Sequence, residues 1–183
     1  MRIRDTKGFT LIELLIVVAI IGIIAAIAVP GLLSARRAGN EASAIGSLRA
    51  ITSSQQAFAS TCANGFYAAD LTDLAQLPVG GGAPFISPDL GAAASVDKSG
   101  YTVTLAGATD GVAGTATAPP ACNTVAAANL TSSWVATAEP ISAGSTGTRN
   151  FWVGTLGTIY SDTAAIGATD GMVPPAAPAL PIQ

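Results

Sequence analysis

Two features of this sequence could do chemistry: one carboxylate set among apolar side chains, and one pair of cysteines. Glu13 interrupts a hydrophobic run that continues from Leu14 to Val29 without a charge. An acid in such surroundings is costly and ordinarily has a cationic or hydrogen-bonding partner. Cys62 and Cys122 are the only cysteines, and in an exported chain an even count favours one disulfide, closing a loop of about 60 residues and stabilising by about 4 kcal/mol at most. There is no histidine, which excludes Ser/His or Cys/His nucleophilic catalysis and every metal site that needs imidazole. Asp70-Leu-Thr-Asp73-Leu reads as a short helical turn capped by Asp70 or Thr72, with carboxylates that cap or are solvated and do not form an acid/base pair. The expectation is no enzyme, no catalytic residue, no metal and no cofactor.

The elements that must position Glu13 begin with the apolar run itself. With Phe9 to Ile12 in front and Leu32 and Leu33 behind, it extends over about 25 residues, and at about 1.5 Å per residue such a helix spans a bilayer of about 30 Å. Arg2, Arg4 and Lys7 precede it, so the positive-inside tendency keeps the first residues in the cytoplasm and exports the rest. Three readings compete. A secretory signal peptide would use Ala26-Ile27-Ala28 as its cleavage site, but the run is long for a signal core and an acid in its leading edge has no purpose there. A plain anchor also leaves Glu13 unexplained. The third reading gives the acid a partner at the chain start.

Lys7-Gly8-Phe9-Thr10-Leu11-Ile12-Glu13-Leu14-Leu15 resembles the processing and methylation motif of type IV prepilins and of the related pseudopilins of type II secretion. The resemblance implies cleavage between Gly8 and Phe9 by a prepilin peptidase, and methylation of the new Phe9 amine. Such a cut creates an ammonium, which complements Glu13 in low dielectric. The family precedent implies that Glu13 meets Phe9 of a neighbouring subunit; pairing within one chain stays open. Gly22 and the Pro30-Gly31 pair weaken the helix, since Pro30 lacks an N–H and clashes with the carbonyl four residues back at a cost of about 3 kcal/mol. A kink or melted stretch between Gly22 and Pro30 is expected.

Beyond Pro30 a helical rhythm continues through Ala38, Ala42, Ile45, Leu48, Ile51, Gln55 and Phe58, with Arg36, Arg37, Glu41 and Arg49 largely on other faces. Arg36 and Arg37 read as an interfacial stop. Asn64-Gly65 ends the helix, and Phe66 to Leu90 reads as a connecting loop. Strands are expected at Tyr101–Leu105, Ser133–Ala138, Asn150–Val153 and Thr158–Tyr160, as an antiparallel meander covered by the second half of the helix. Trp134, Trp152 and Tyr160 read as sheet core. Gly107-Ala-Thr-Asp-Gly111 recurs at Gly167 to Gly171 and reads as two Asp-Gly turns, with Asp110 and Asp170 offering too few oxygens for a cation. Asn129-Leu-Thr131 matches a glycosylation acceptor, a pattern common by chance.

The fold expected is α+β: a long N-terminal helix, first half transmembrane or filament core, second half packed on a small antiparallel β-sheet head. Residues 1–8 would be a cleaved leader, 9–60 the helix with its membrane part at about 9–33, 61–172 the head, and 173–183 a Pro/Ala-rich surface tail. Past residue 60 only Lys98 and Arg149 are basic, against Asp70, Asp73, Asp89, Asp97, Asp110, Glu139, Asp162 and Asp170, so nucleic-acid binding by the head is not expected. By the resemblance the chain would be a structural subunit of a type IV pilus, alternatively a pseudopilin of type II secretion. Its partners would be copies of itself, the inner membrane, the prepilin peptidase and the assembly machinery, and its final location the cell exterior. A tethered binding domain that never polymerises is the reading from another class.

Overall fold

The computed structural model describes residues 8–114, 120–167 and 169–182. The chain divides into two compact units, residues 1–36 and 37–183. One helix, α1 (Leu11–Thr61), carries residues of both. In the first unit every side chain from Phe9 to Leu33 is exposed. In the second unit the helix buries Ala44, Leu48, Ile51, Gln55 and Phe58, a spacing of four, three, four and three that keeps one face on the core. Ala42 lies outside, and Glu41, expected on a solvated face, is only 8% exposed. The helix closes where sequence reading places its end: Asn64 and Gly65 take positive φ (54° and 89°), and the Gly65 N–H reaches back to the Ala59 carbonyl.

Past the helix the chain is built from short elements and turns. β1 (Tyr67–Ala68) pairs with β4 (Leu130–Thr131), and between them in sequence lies α2 (Leu71–Ala75), whose cap is Asp70, accepting from the Thr72 and Asp73 N–H groups. The main sheet has six strands in sequential antiparallel order: β2 (Ser95–Lys98), β3 (Tyr101–Gly107), β5 (Trp134–Pro140), β6 (Asn150–Gly154), β7 (Ile159–Asp162) and β8 (Leu180–Pro181). Sequence reading finds four of these and misses the two edges. β2 offers only one apolar residue, Val96, and is joined to β3 by Ser99-Gly100, both at positive φ, the two-residue hairpin geometry.

Alternation sets the two faces of the sheet. Tyr101, Val103, Leu105, Ala136, Ala138, Phe151, Val153 and Ile159 point inward with Leu48, Ile51 and Phe58 of α1 in one core. Val135, Trp152 and Ile166 form a second, smaller cluster on the other face, with Tyr160 and Ala179 against it. Trp152 and Tyr160 meet edge-on at 5.8 Å. The C-terminal segment, expected as an extended tail on the surface, lies there and is also anchored: Tyr160 pairs with Pro181, and the Ile182 N–H donates to the Ile159 carbonyl. The two Asp-Gly motifs also meet. The Thr109 N–H donates to the Thr169 carbonyl, and the Asp110 carboxylate accepts from the Gly171 and Met172 N–H groups and from Ser133 Oγ. Those bonds hold its carboxyl below the usual carboxylate range, Ser133 contributing most. Ala168 of the second motif lies outside the described residues.

Cys62 and Cys122 are bonded, tying the helix end to the segment before β4, and the Cys122 N–H also donates to the Cys62 carbonyl. Gln55, fully buried, donates to and accepts from the backbone of Ala68 at 2.9 Å each way, so the loop leaving the helix is clamped twice. With a separation of 60 residues, opening the disulfide should cost about 4 kcal/mol. In thermal unfolding of the full chain in detergent, Cys122→Ser is expected to lower Tm by roughly 10 °C.

Asp73 is buried on α2, and its burial pushes the carboxyl up to about 6, with the charge of Asp70 adding to the effect. A carboxyl whose folded value lies above its unfolded value favours the fold while protonated, and that contribution fades as pH rises through the folded value. The head should therefore gain stability as pH falls from about 7 to about 5. Asp73→Asn should flatten that slope in a pH series of melting curves.

Candidate functional site

Gly8, Phe9 and Glu13 lie together where α1 starts. Gly8 and Phe9 precede the helix in exposed, non-helical backbone, and Phe9 is 86% exposed. Thr10 is the last residue before the first turn, so Glu13 is its third residue. The Thr10 N–H donates to Glu13 Oε2 at 2.9 Å, the Thr10 hydroxyl donates to the same oxygen at 2.7 Å, and the Glu13 N–H points back at Thr10 Oγ1 at 3.3 Å. This is a capping box, in which a threonine and a glutamate three residues apart satisfy each other's backbone donors at a helix start. Sequence reading misses Thr10. Its signal, Thr10-Leu-Ile-Glu13, is present, but only the acid stands out against the apolar run.

The acid stands at the head of a lipid-compatible surface. Leu11 to Leu33 form an exposed apolar rod, long and apolar enough to cross a membrane. In the single chain no melted stretch interrupts the helix at Gly22, Pro30 and Gly31: α1 is continuous from Leu11 to Thr61 with Pro30 inside it. The physical reason is cooperativity. Pro30 removes one donor from a ladder of 51 residues, and the turns on either side carry the helix through. Apart from the adjoining residues and the helix's own backbone, no atom lies within 4 Å of where a side chain at Gly22 or Gly31 would begin, so neither glycine is demanded by packing in the single chain.

Within the second unit the helix is fastened to the sheet by the other acid that α1 carries. Glu41 Oε1 accepts from the backbone N–H of Thr148 (3.0 Å) and its hydroxyl (2.9 Å), and Oε2 accepts from Arg149 Nε (2.9 Å) and Nη2 (2.7 Å). Burial alone would raise its carboxyl, but the bonds from Thr148 and Arg149 outweigh that and hold it below its ordinary value. Arg149 also lies over the Phe151 ring at 5.4 Å, and its carbonyl accepts the Tyr101 hydroxyl at 2.9 Å. Asn40 adds a bond to the Thr146 carbonyl at 2.8 Å. Sequence reading misses this fastening, because a periodicity argument counts apolar side chains and Glu41 is a buried charge.

Other candidate residues are engaged elsewhere. The oxygens of Asp110 are used on Ser133, Gly171 and Met172, and Asp170 accepts from the Thr109 hydroxyl. No cluster of three or more His, Cys, Asp or Glu side chains suited to a metal occurs among the described residues. Asn129 is exposed, but the Thr131 hydroxyl that a glycosylation acceptor must present is buried and donates to the Ser133 carbonyl.

One match to known proteins falls where this geometry is. Residues 3–29 match the family model of the prokaryotic N-terminal methylation motif. The type IV wide pilus major component PilA4 of Thermus thermophilus is 63% identical over 38 residues, 21% of this chain and 29% of that protein. The type IV major pilin protein PilA of Myxococcus xanthus is 48% identical over 52 residues, 28% of this chain and 24% of that protein. The chain thus spans less than a third of the length of the curated relatives it matches. No solved structure matches it.

The fastening by Glu41 has a measurable consequence. Glu41→Gln removes the charge opposite Arg149 and should cost about 2 kcal/mol, reduced from the buried-pair figure because Arg149 is 44% exposed. Calorimetry of the full chain in detergent should show a fall in Tm of about 5 °C.

Proposed function

We propose that this chain, whose N-terminal segment is that of the type IV pilin family, is a structural subunit that polymerises through α1 into a type IV pilus filament. The observation that carries the reading is the coincidence of one matched motif with one physical arrangement. The methylation motif covers residues 3–29, and within it a carboxylate sits at the start of an exposed apolar stretch of helix. Likeness to two pilus components, over 38 and 52 residues, supports a pilin-like structural role.

In this reading the precursor sits in the inner membrane by residues of about 9–33 with the head outside the cytoplasm. A prepilin peptidase removes residues 1–8 and methylates the Phe9 amine. Lipid tails are as apolar as the helix, so leaving the bilayer gains little from apolar burial; association comes from packing like helices together and from joining charges. The Phe9 ammonium of one copy neutralises Glu13 of the next, and because both charges lie in low dielectric the pair fixes the axial step between subunits. Assembly machinery supplies the work. The stretch from Gly22 to Pro30 is the place where α1 would melt on packing into the filament, since the missing Pro30 donor makes it the least hydrogen-bonded turn.

Glu13→Gln keeps the shape of the side chain and removes its charge. It should leave cleavage after Gly8 intact while reducing sheared surface filaments by more than about tenfold. Mass spectrometry of wild-type filaments should find a mature chain starting at methylated Phe9; a soluble product starting at Val29, or undiminished filaments from Glu13→Gln, would overturn the reading.

A further inference from the structure

We infer that Thr10 is a positioning residue for subunit joining: it holds the Glu13 carboxylate through one oxygen and leaves the other open to the ammonium of an incoming copy. The inference rests on the reading of the chain as a polymerising subunit. Both Thr10 donors, the backbone N–H at 2.9 Å and the hydroxyl at 2.7 Å, fall on Oε2, and among the described residues Oε1 has no partner. The Thr10 hydroxyl is used twice, as donor to Oε2 and as acceptor from the Glu13 N–H at 3.3 Å, so the glutamate is tied to Thr10 through both its side chain and its backbone.

That geometry acts on joining in three ways. A glutamate free to rotate must be ordered when its partner arrives, whereas one already held loses little freedom at joining. Helical side chains lean toward the N-terminus, so a held Glu13 presents its open oxygen over the start of α1, beside Phe9, where a charge from another chain start must be placed. The box also supplies two hydrogen bonds to an acid that has left water before any partner is present, and an ammonium at Oε1 adds to them without displacing either. The species recognised is the primary or secondary ammonium at the start of a second copy.

Thr10→Val is close to threonine in shape and keeps neither role of the hydroxyl, while Thr10→Ser keeps both. Thr10→Val is expected to be cut after Gly8 and to give about tenfold fewer surface filaments, with Thr10→Ser restoring wild-type yield. The second measurement is independent of processing: in the full uncleaved chain, labelled with ¹³C-glutamate and held in detergent, the Glu13 side-chain carboxyl resonance, assigned through Glu13→Gln, is followed in each variant. It should be narrow in wild type and Thr10→Ser, and shifted and averaged in Thr10→Val. An unchanged resonance in Thr10→Val, undiminished filaments from it, or equal losses from Val and Ser would overturn the positioning role while leaving the polymerising role standing. Absence of filaments from the wild-type chain would overturn the polymerising role itself.

Discussion

A carboxylate set among apolar side chains needs a hydrogen-bond or charge partner within reach, and this requirement organises the first unit of the chain. Glu13 meets it with groups from its own first turn, through Thr10. A helix start needs the same service in reverse, because its leading N–H groups have no carbonyl four residues back. One threonine and one glutamate resolve both deficits. The point where the apolar segment carries its charge is thereby also the point where the helix begins, and every residue beyond it to Leu33 is left exposed.

The second half of α1 answers to a different solvent. From Ala44 onward it is the cover for one face of a sheet that could not otherwise keep Tyr101, Val103 and Phe151 dry. Three devices of different chemistry hold that cover in place: Glu41 with Thr148 and Arg149 near the head's beginning, Gln55 with the Ala68 backbone, and the disulfide at the helix end. They are spaced along the buried half of the helix, so the head is secured along its length and not at one point. A sheet attached at one place only would swing with respect to the helix that covers it.

How much of this was legible depends on which kind of signal each part carries. The four central strands were readable because Tyr101, Val103 and Leu105 alternate with threonines, and because Phe151 and Val153 lead into a glycine turn that returns through Ile159. The edges were not. Ser95-Val96-Asp97-Lys98 has one apolar residue, and Leu180-Pro181 forms a strand only through the sheet it joins. The disulfide was legible from a count of two, whereas the Glu41 fastening joins residues 107 and 108 apart and left no local trace. At Gly22, Pro30 and Gly31 local propensity marks a weakened stretch, which the cooperative ladder of a 51-residue helix carries through in the single chain.

The anchoring of the C-terminal segment as β8 has a wider consequence. Chains held side by side at high density, each with a β-sheet, are at risk of zipping together strand to strand into insoluble ribbons. Here one margin of the sheet carries Asp97 and Lys98, and the other is a two-residue strand that follows Pro178 and ends in Pro181, neither of which has an N–H to offer. The head is therefore guarded against amyloid-type growth on both sides.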